Sequence, residues 1–279
     1  MPDRGLPEKR NHGVGPLKNG GVLLTNPDAL RIGVVEFPNT RPLADFLPEI
    51  LPNARIILDI PSRLAKKLDA GELDVALLSS IELLRRPEYG FVPGMGICSD
   101  GPAGSALLFT RIDPREVKQV ALDGASLSTA MMTRIVFAEY WRTTPHYTTR
   151  LSPLRDRFQS VDAVLTIGYP GLVVNDPTVR KIDMGETWKA YCNLPFIYAL
   201  WIVRPEIDAA ALEEPFAEAK RRGLEERERI ARDCAEKNGS PYAVYHTHFF
   251  QNIRYDVGER ELAGMKFFFE KGEKYLSEQ

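Results

Sequence analysis

The sequence predicts a two-lobed α/β protein with a ligand cleft between the lobes. Short β-branched runs alternate with helical patterns from Arg31 onward, and such alternation is typical of parallel sheets covered by helices. Two continuously apolar segments, residues 104–111 and 194–204, lie about ninety residues apart. We expect them to be buried strands where the chain leaves one lobe and later returns to it.

Five runs are predicted as strands, with parallel pairing dominating the sheets: 32–37, 55–60, 75–78, 120–122 and 163–167. The helix after the second run is expected to be capped by Ser62 and to stop at Gly71. Another helix is expected to start near Ser128. Long helices at the end of the chain, with the last burying Leu262, Met265, Phe268, Phe269 and Tyr275, are expected to pack back on the first lobe.

The predicted domain organisation has three parts. Residues 1–30 are rich in Gly, Pro and charge without a sustained period, which indicates a flexible N-terminal extension. Residues 31–104 and 203–279 are predicted to form a discontinuous first lobe, and residues 105–202 the second. Bends that close the cleft are expected near 104–105 and 200–203.

Composition narrows the class of protein. The chain has 279 residues, 36 of them basic and 38 acidic, with a net charge of −2, so nothing supplies the positive surface that nucleic acids bind. It has no apolar run long enough to cross a membrane, and its start lacks the apolar stretch of a secretory signal. Three widely spaced cysteines without a CxxC pair fit a reducing compartment. We therefore expect a cytoplasmic protein without nucleic-acid or membrane partners.

Polar clusters follow three of the predicted strands, at residues 37–42, 79–82 and 126–129. Ligands of open parallel sheets lie beyond the carboxyl ends of the strands. Three uncharged donor clusters converging on one cleft would bind a small anion with several oxygens.

Each cluster also has a structural interpretation. Ser79 with Glu82 matches a capping box, Pro42 suits a first helical turn, and Ser126 or Ser128 is an ordinary N-cap. The glycine-rich residues 100–105 would let the backbone approach a ligand or absorb a hinge rotation. Both interpretations stay open at this point.

Several familiar signatures are absent from the sequence. GxGxxG after a strand, a Walker loop, HExxH and GxSxG do not occur, which argues against nucleotide and metal-hydrolase sites. None of the four histidines, His12, His146, His246 and His248, lies in a polar cluster. His246 and His248 would diverge on a helix, so no metal site is expected.

Several stretches carry a family resemblance in combination: NTRPL at 39–43, SSIE at 79–82, SDGP at 99–102 and LDGASLSTAMM at 122–132. Over about residues 31–270 the chain resembles the chorismate dehydratases of the futalosine route to menaquinone. The resemblance implies a type II periplasmic-binding-protein-like fold, chorismate as substrate, 3-[(1-carboxyvinyl)oxy]benzoate and water as products, and no cofactor or metal.

The resemblance also implies roles for individual residues. It would place seven residues in the cleft: Asn39, Thr40, Ser79, Ser80, Ser105, Ser128 and Thr129. Of these, we expect Asn39 and Ser105 to be catalytic. Where family members usually have Asp after Ile-Gly, this chain has Tyr169, and Arg41 stands where Leu is common and would add a cation. The residues expected to bind substrate are Thr40, Arg41, Ser79, Ser80, Gly104, Ser128, Thr129, Gly168 and Tyr169.

Dehydrating chorismate requires a base for one ring hydrogen and assistance to the leaving hydroxyl. The titratable candidates are Glu36, Glu82, Asp100 and Asp123, and Glu82 is expected to be used in its cap. We hypothesise that the cleft orients the substrate and excludes water, that the substrate's enolpyruvyl carboxylate is the base, and that Asn39 or a serine assists the hydroxyl.

Two alternatives and one open question remain at this level. The same fold could serve a cytosolic protein that binds or senses a small carboxylate. The sibling enzyme that cleaves a cyclic futalosine derivative looks as though it relies on a cleft histidine, which the clusters lack. The sequence leaves open whether the chain is a monomer or a homodimer.

Overall fold

The structure is a computed structural model that describes residues 30–149, 160–168, 171 and 176–278. Within these ranges the strands form two sheets, one of seven strands and one of five. The strands of the first sheet are β1 Arg31–Val34, β2 Arg55–Leu58, β3 Val75–Ser79, β4 Gly90–Phe91, β5 Met95–Ser99, β11 Phe196–Val203 and β12 Arg254–Asp256. Those of the second are β6 Ala106–Thr110, β7 Gln119–Leu122, β8 His146–Thr149, β9 Ala163–Ile167 and β10 Arg180–Asp183.

Helices connect the strands and cover both sheets. The α-helices in the described ranges are α1 Arg41–Ala44, α2 Leu47–Ile50, α3 Pro61–Asp69, α4 Ile81–Arg85, α5 Leu127–Ile135, α6 Met184–Cys192, α7 Glu213–Glu225, α8 Arg227–Lys237, α9 Tyr242–Thr247 and α10 Glu259–Gly272. Short 3₁₀ segments are Pro38–Thr40, Pro114–Glu116, Ala210–Leu212 and Glu273–Glu278, and π-helical turns are Val136–Tyr140 and His248–Asn252. In the described ranges no helix is both long and apolar enough to span a membrane.

Both sheets are mixed rather than dominated by parallel pairs. The first has the order β12-β5-β11-β3-β1-β2 and the second β10-β6-β9-β7-β8. Parallel pairing is found in β2-β1-β3 and in β8-β7-β9, whereas β11 is antiparallel to β3, β4 and β5, and β6 is antiparallel to β9 and β10. The expectation of parallel-dominated sheets was therefore wrong. The strands next to the lobe crossings, β6 and β11, take part in five of the six antiparallel pairs of the described strands.

The pairing of β11 moves one predicted lobe boundary. Residues Leu200–Val203 of β11 pair in register with β3 of the first sheet, and Phe196 and Ile197 pair with β5 of the same sheet. The return crossing therefore precedes Phe196, and a bend at 200–203 is incompatible with this ladder. The other lobe boundaries remain predictions.

The first lobe begins one residue earlier than predicted. Leu30 is only 1% exposed, and its carbonyl accepts a hydrogen bond from the Arg55 amide. The remainder of the predicted extension, residues 1–29, lies outside the described residues. Leu30 thus belongs to the core rather than to the extension.

The predicted N-cap of α3 was wrong, whereas the predicted stop at Gly71 agrees with the structure. Ile60 is the N-cap and Pro61 occupies the first turn, so Ser62 lies inside the helix and does not cap it. Gly71 follows the helix with φ +70°, the left-handed conformation that glycine adopts most readily.

One hydrophobic cluster extends through both lobes. It includes Leu77 of β3 and Phe268 of α10 together with Leu108 of β6 and Met131 of α5. The other predicted apolar residues of the last helix and the segment after it are partly buried against the core, so the predicted face of that helix is confirmed. Because α5 packs against α4 and α10, this cluster fixes the position of the second lobe against the first at the base of the cleft.

Candidate active site

A cavity with about 600 Å³ of open space lies where the ends of several strands meet. All three predicted polar clusters reach it: Asn39 and Thr40 follow β1, Ser79 ends β3, and Ser126 and Thr129 begin the helix after β7. The remaining lining residues are Val35, Phe37, Pro61, Leu77, Leu78, Ile97, Ser105, Ala106, Ala125, Ile167, Tyr198, Ala199 and Ile253.

Three of the lining side chains have unused hydrogen-bonding capacity. The Asn39 amide and the Ser79 and Ser105 hydroxyls line the cavity, and none of them is hydrogen-bonded to another described residue. The Asn39 amide therefore does not satisfy its own turn, which was the structural alternative for this residue. These three uncharged groups are available to a ligand.

The side chains of three other polar lining residues, Thr40, Ser126 and Thr129, form hydrogen bonds within the cavity wall. The Thr40 hydroxyl is 2.7 Å from both the Val35 and the Phe37 carbonyl oxygens, to which it donates, and this fixes the turn that presents Asn39. The Ser126 hydroxyl accepts from the Thr129 amide at 3.3 Å and lies 2.9 Å from the Thr129 hydroxyl. Ser126 is therefore the N-cap of α5, as one of the two predicted alternatives proposed.

Ser80 and Ser128 do not line this cavity, contrary to prediction. The Ser80 hydroxyl donates to the Ile197 carbonyl at 2.6 Å and lies 3.0 Å from the Ser128 hydroxyl. Ser128 Oγ in turn accepts from the Ile81 amide at 3.0 Å. Both serines are completely buried. They join the N-terminus of α4 to α5 and so connect the two lobes.

The predicted capping box at Ser79 is also wrong. Ser80, not Ser79, is the N-cap of α4, and no side chain caps this helix. The Glu82 carboxylate instead forms ion pairs with Arg85 and Arg86. The Ser79 hydroxyl is thereby left for the cavity.

Two further predicted binding residues contact protein instead of the cavity. The Arg41 guanidinium lies 2.8 Å from Asp45 and 3.2 Å from Asp233, so it is not positioned to meet a substrate carboxylate. Gly104 has φ +72°, and a Cβ there would lie 2.8 Å from Asn252 Oδ1. Its close backbone approach thus accommodates Asn252 rather than a ligand.

Asp183 anchors the segment that crosses between the lobes. Its carboxylate accepts from the amides of Ala103 at 3.0 Å and Gly104 at 2.7 Å. It also caps α6 by accepting from the amides of Gly185 and Glu186. One carboxylate therefore ties the crossing segment, which carries Ser105, to the second lobe.

A smaller side cavity, with about 310 Å³ of open space, shares Phe37, Asn39, Ser105 and Ile167 with the main one. Its other lining residues are Pro38, Gly168 and His248. Gly168 thus lines the side cavity, whereas Tyr169 lies outside the described residues. His248 was not predicted here, because α9 and its π-helical turn are distant in the chain from every polar cluster.

None of the four candidate carboxylates lines either cavity. Asp100 is paired with Lys189, Arg254 and Arg260. Burial tends to raise its pKa, but the hydrogen bonds from Lys189 and Arg260 outweigh burial and hold that pKa below its ordinary value. Asp123 accepts from the backbone amides of Ala125 and Ile167.

The described residues that line the two cavities therefore carry no full charge at neutral pH. Glu36 is exposed and, like Glu82, is not a lining residue. Within the described ranges no group of three or more His, Cys, Asp or Glu residues could hold a metal ion. The site can orient a ligand through neutral hydrogen bonds and shield it from water.

Tyr198 forms part of the wall between β11 and the crossing segment. Ser99 Oγ donates to the Gly101 carbonyl, so the Tyr198 hydroxyl, 3.0 Å away, donates to Ser99. Burial raises the pKa of Tyr198 well above its ordinary value. This residue is a neutral, fixed part of the wall, which the sequence presented only as part of an apolar strand.

Solved structures support the fold. A protein from Archaeoglobus fulgidus is similar with a TM-score of 0.68 at 15% identity, covering 89% of this chain and 98% of that one. The periplasmic aliphatic sulphonate binding protein of Escherichia coli is similar with a TM-score of 0.62 at 16% identity, covering 90% and 88%. The predicted periplasmic-binding-protein-like fold is confirmed.

Sequence comparison identifies the family. A chorismate dehydratase of Thermus thermophilus is 27% identical over 258 residues, which are 86% of this chain and 93% of that protein. A family model described as menaquinone biosynthesis matches residues 30–274. Because this match spans nearly all of the chain, including both lobes and the residues around the cavity, the chain belongs to the menaquinone biosynthesis family.

Proposed function

We propose that this protein is a chorismate dehydratase, a cytoplasmic lyase that converts chorismate into 3-[(1-carboxyvinyl)oxy]benzoate and water. The observation that carries the proposal is the set of three neutral polar groups, on Asn39, Ser79 and Ser105, lining one cavity. The similarity to the Thermus thermophilus enzyme supports the choice of substrate. The three cysteines are free, in keeping with a reducing compartment.

The reaction removes one ring hydrogen as a proton and the ring hydroxyl as water, and it leaves an aromatic ring. Aromatisation supplies the driving force, so the protein mainly has to hold the substrate in a reactive geometry and keep water away. No carboxylate of the described residues lines the cavity, which supports the substrate's own enolpyruvyl carboxylate as the base. Asn39 and Ser105, which line both cavities, are the groups best placed to assist departure of the hydroxyl.

The direct test is incubation of the purified protein with chorismate, followed by absorbance and chromatography for the aromatic product. Turnover is expected. Tight binding of chorismate without any product would instead favour a protein that binds or senses a small carboxylate.

The test of the site is Asn39→Ala. We expect turnover to fall by about a hundredfold or more, the scale of losing an oriented polar donor. The melting temperature should hardly change, because the Asn39 amide bonds to no other described residue.

Thr40→Val is the matched control for Asn39→Ala. It removes the two hydrogen bonds that fix the same turn, so it should lower stability. An Asn39→Ala protein that is less stable yet fully active would contradict the catalytic role, and Ser105→Ala and Ser79→Ala would be tested next.

A further inference from the structure

The side cavity contains a buried histidine that the proposed mechanism does not use. His248 is 3% exposed and begins the π-helical turn His248–Asn252, a local geometry often found at functional sites. The ring lines the side cavity, whereas its Nδ1 atom is closed off against the crossing segment, where the backbone of Ala103 provides a weak hydrogen bond. The edge of the ring that lines the cavity is therefore the one that can meet a bound group.

The backbone opposite His248 is shaped to bring the ring close. A Cβ on Gly104 would lie 2.8 Å from Asn252 Oδ1, so only glycine leaves room for Asn252, while His248 Nδ1 at 3.5 Å would be in ordinary contact with it. The Asn252 amide also donates to the Pro102 carbonyl at 3.3 Å. The π-helical turn is thereby held against the crossing segment directly before Ser105.

The surroundings indicate which kind of group His248 would meet. Burial lowers the pKa of His248 to about 4, against a weaker backbone hydrogen bond with Ala103, so the ring is neutral at pH 7. The other polar lining residues of the side cavity are Asn39 and Ser105, and the remaining ones are apolar or glycine. A carboxylate would lose its hydration there without gaining a cation, which is costly. A hydroxyl is uncharged and can both donate and accept, so it fits this environment better.

We propose that His248 is a substrate-binding residue whose ring edge in the side cavity hydrogen-bonds the ring hydroxyl of the substrate where the two cavities meet. The inference rests on the proposed function for the identity of the substrate. It places that hydroxyl among Asn39, Ser105 and His248 and leaves the carboxylates of the substrate in the main cavity. The product has lost the hydroxyl, so it should not use His248.

The experiment compares three variants of the full chain. His248→Leu removes the ring nitrogens, whereas His248→Asn retains a polar side chain at this position. His246→Leu is the control, because His246 lies two residues earlier in the chain, stacks on Phe250 and lines neither cavity. For each variant we would measure kcat and KM for chorismate, the inhibition constant of the product, and the melting temperature.

We expect His248→Leu to lower kcat/KM about tenfold, the scale of one neutral hydrogen bond in a buried site. Product inhibition should change by less than about twofold. His248→Asn should recover most of the loss, and His246→Leu should behave like the wild type.

Three results would overturn the assignment: unchanged kcat/KM in His248→Leu, an equal weakening of product binding, or no recovery by His248→Asn in a folded protein. If His248→Leu does not fold, the His248→Asn protein alone decides, since it should bind the product normally and retain most of kcat/KM. Failure of the unaltered protein to turn over chorismate would instead refute the proposed function, and with it this choice of hydroxyl.

Discussion

Ser128→Ala tests whether the buried serine pair supports the fold or the chemistry. Because the Ser80 hydroxyl donates to the Ile197 carbonyl, the hydrogen between the two serines comes from Ser128, which also accepts from the Ile81 amide at 3.0 Å. Removing Ser128 Oγ leaves the Ile81 amide buried without a partner. An unsatisfied buried donor destabilises a protein by about 1–3 kcal/mol, so we expect Ser128→Ala to lower the free energy of unfolding by about 2 kcal/mol.

The neighbouring serine should matter to a similar extent. Ser80→Ala leaves the Ile81 amide bonded, but it removes both the acceptor of the Ser128 hydrogen and the donor to the Ile197 carbonyl, so we expect the free energy of unfolding to fall by about 2 kcal/mol. The double variant should be less destabilised than the sum of the two, because the bond between the serines is counted in both single variants.

Urea unfolding followed by circular dichroism would measure these losses, and 2 kcal/mol corresponds to a fall in melting temperature of about 5 °C. Turnover of chorismate, measured below the unfolding range, should stay within about threefold of the wild type. A Ser128→Ala protein of normal stability that has lost turnover would refute this reasoning and return Ser128 to the substrate site.

Three further outcomes follow from contacts described above. Asp183→Ala should lower the free energy of unfolding in urea by about 2–4 kcal/mol, because the carboxylate accepts hydrogen bonds from four backbone amides. Turnover should also fall, and unchanged turnover would contradict the role of Asp183 in placing Ser105. Gly223→Ala in α7 should destabilise the protein, because the alanine Cβ would lie 2.0 Å from the Pro42 carbonyl oxygen. Alanine usually stabilises a helix interior, so a raised melting temperature would contradict this packing. The pKa of His248 is about 4 in the folded protein and about 6.5 in an unfolded chain. As the pH falls from 6.5 to 4, the histidine is therefore protonated in the unfolded chain but not in the folded protein. The stability of the wild type relative to His248→Leu should therefore drop by about 3 kcal/mol from pH 6.5 to pH 4, and a constant difference would place His248 in a more hydrated setting.

Seven of the twelve strands in the described residues were predicted from the sequence, because the pattern of apolar residues in a strand is local, whereas β4, β5, β8, β10 and β12 were not predicted. The polar ends of three predicted strands reach one cavity, in keeping with the general position of ligands in α/β sheets. The sequence was less successful in deciding which of two adjacent residues faces the cavity. Ser79 is the last residue of β3, whereas Ser80 already has helical backbone angles as the N-cap of α4. The turn between strand and helix directs the Ser80 side chain into the wall, and the sequence did not show at which of the two serines that turn falls. By contrast, the i,i+4 spacing of Arg41 and Asp45 indicated the ion pair that withdraws Arg41.

Other features depend on tertiary packing and have no local signal. His248 reaches the side cavity through a turn that follows α9, about two hundred residues after Asn39 in the chain. Nothing in the residues around it distinguishes it from a packing histidine. The bond between Ser80 and Ser128 likewise exists only because α5 of the second lobe packs on α4 of the first.

The central position of β11 affects the order in which the chain folds during its synthesis. β11 lies between β3 and β5 in the first sheet, yet it is synthesised about 120 residues after β3. Until it leaves the ribosome, β3 and β5 both have an edge without a partner, and open edges favour pairing with other chains. The second sheet comes from one continuous stretch, β6 to β10, and can form earlier. The middle of the chain is therefore expected to fold before its beginning, and the first lobe to close around β11 as one of the last steps.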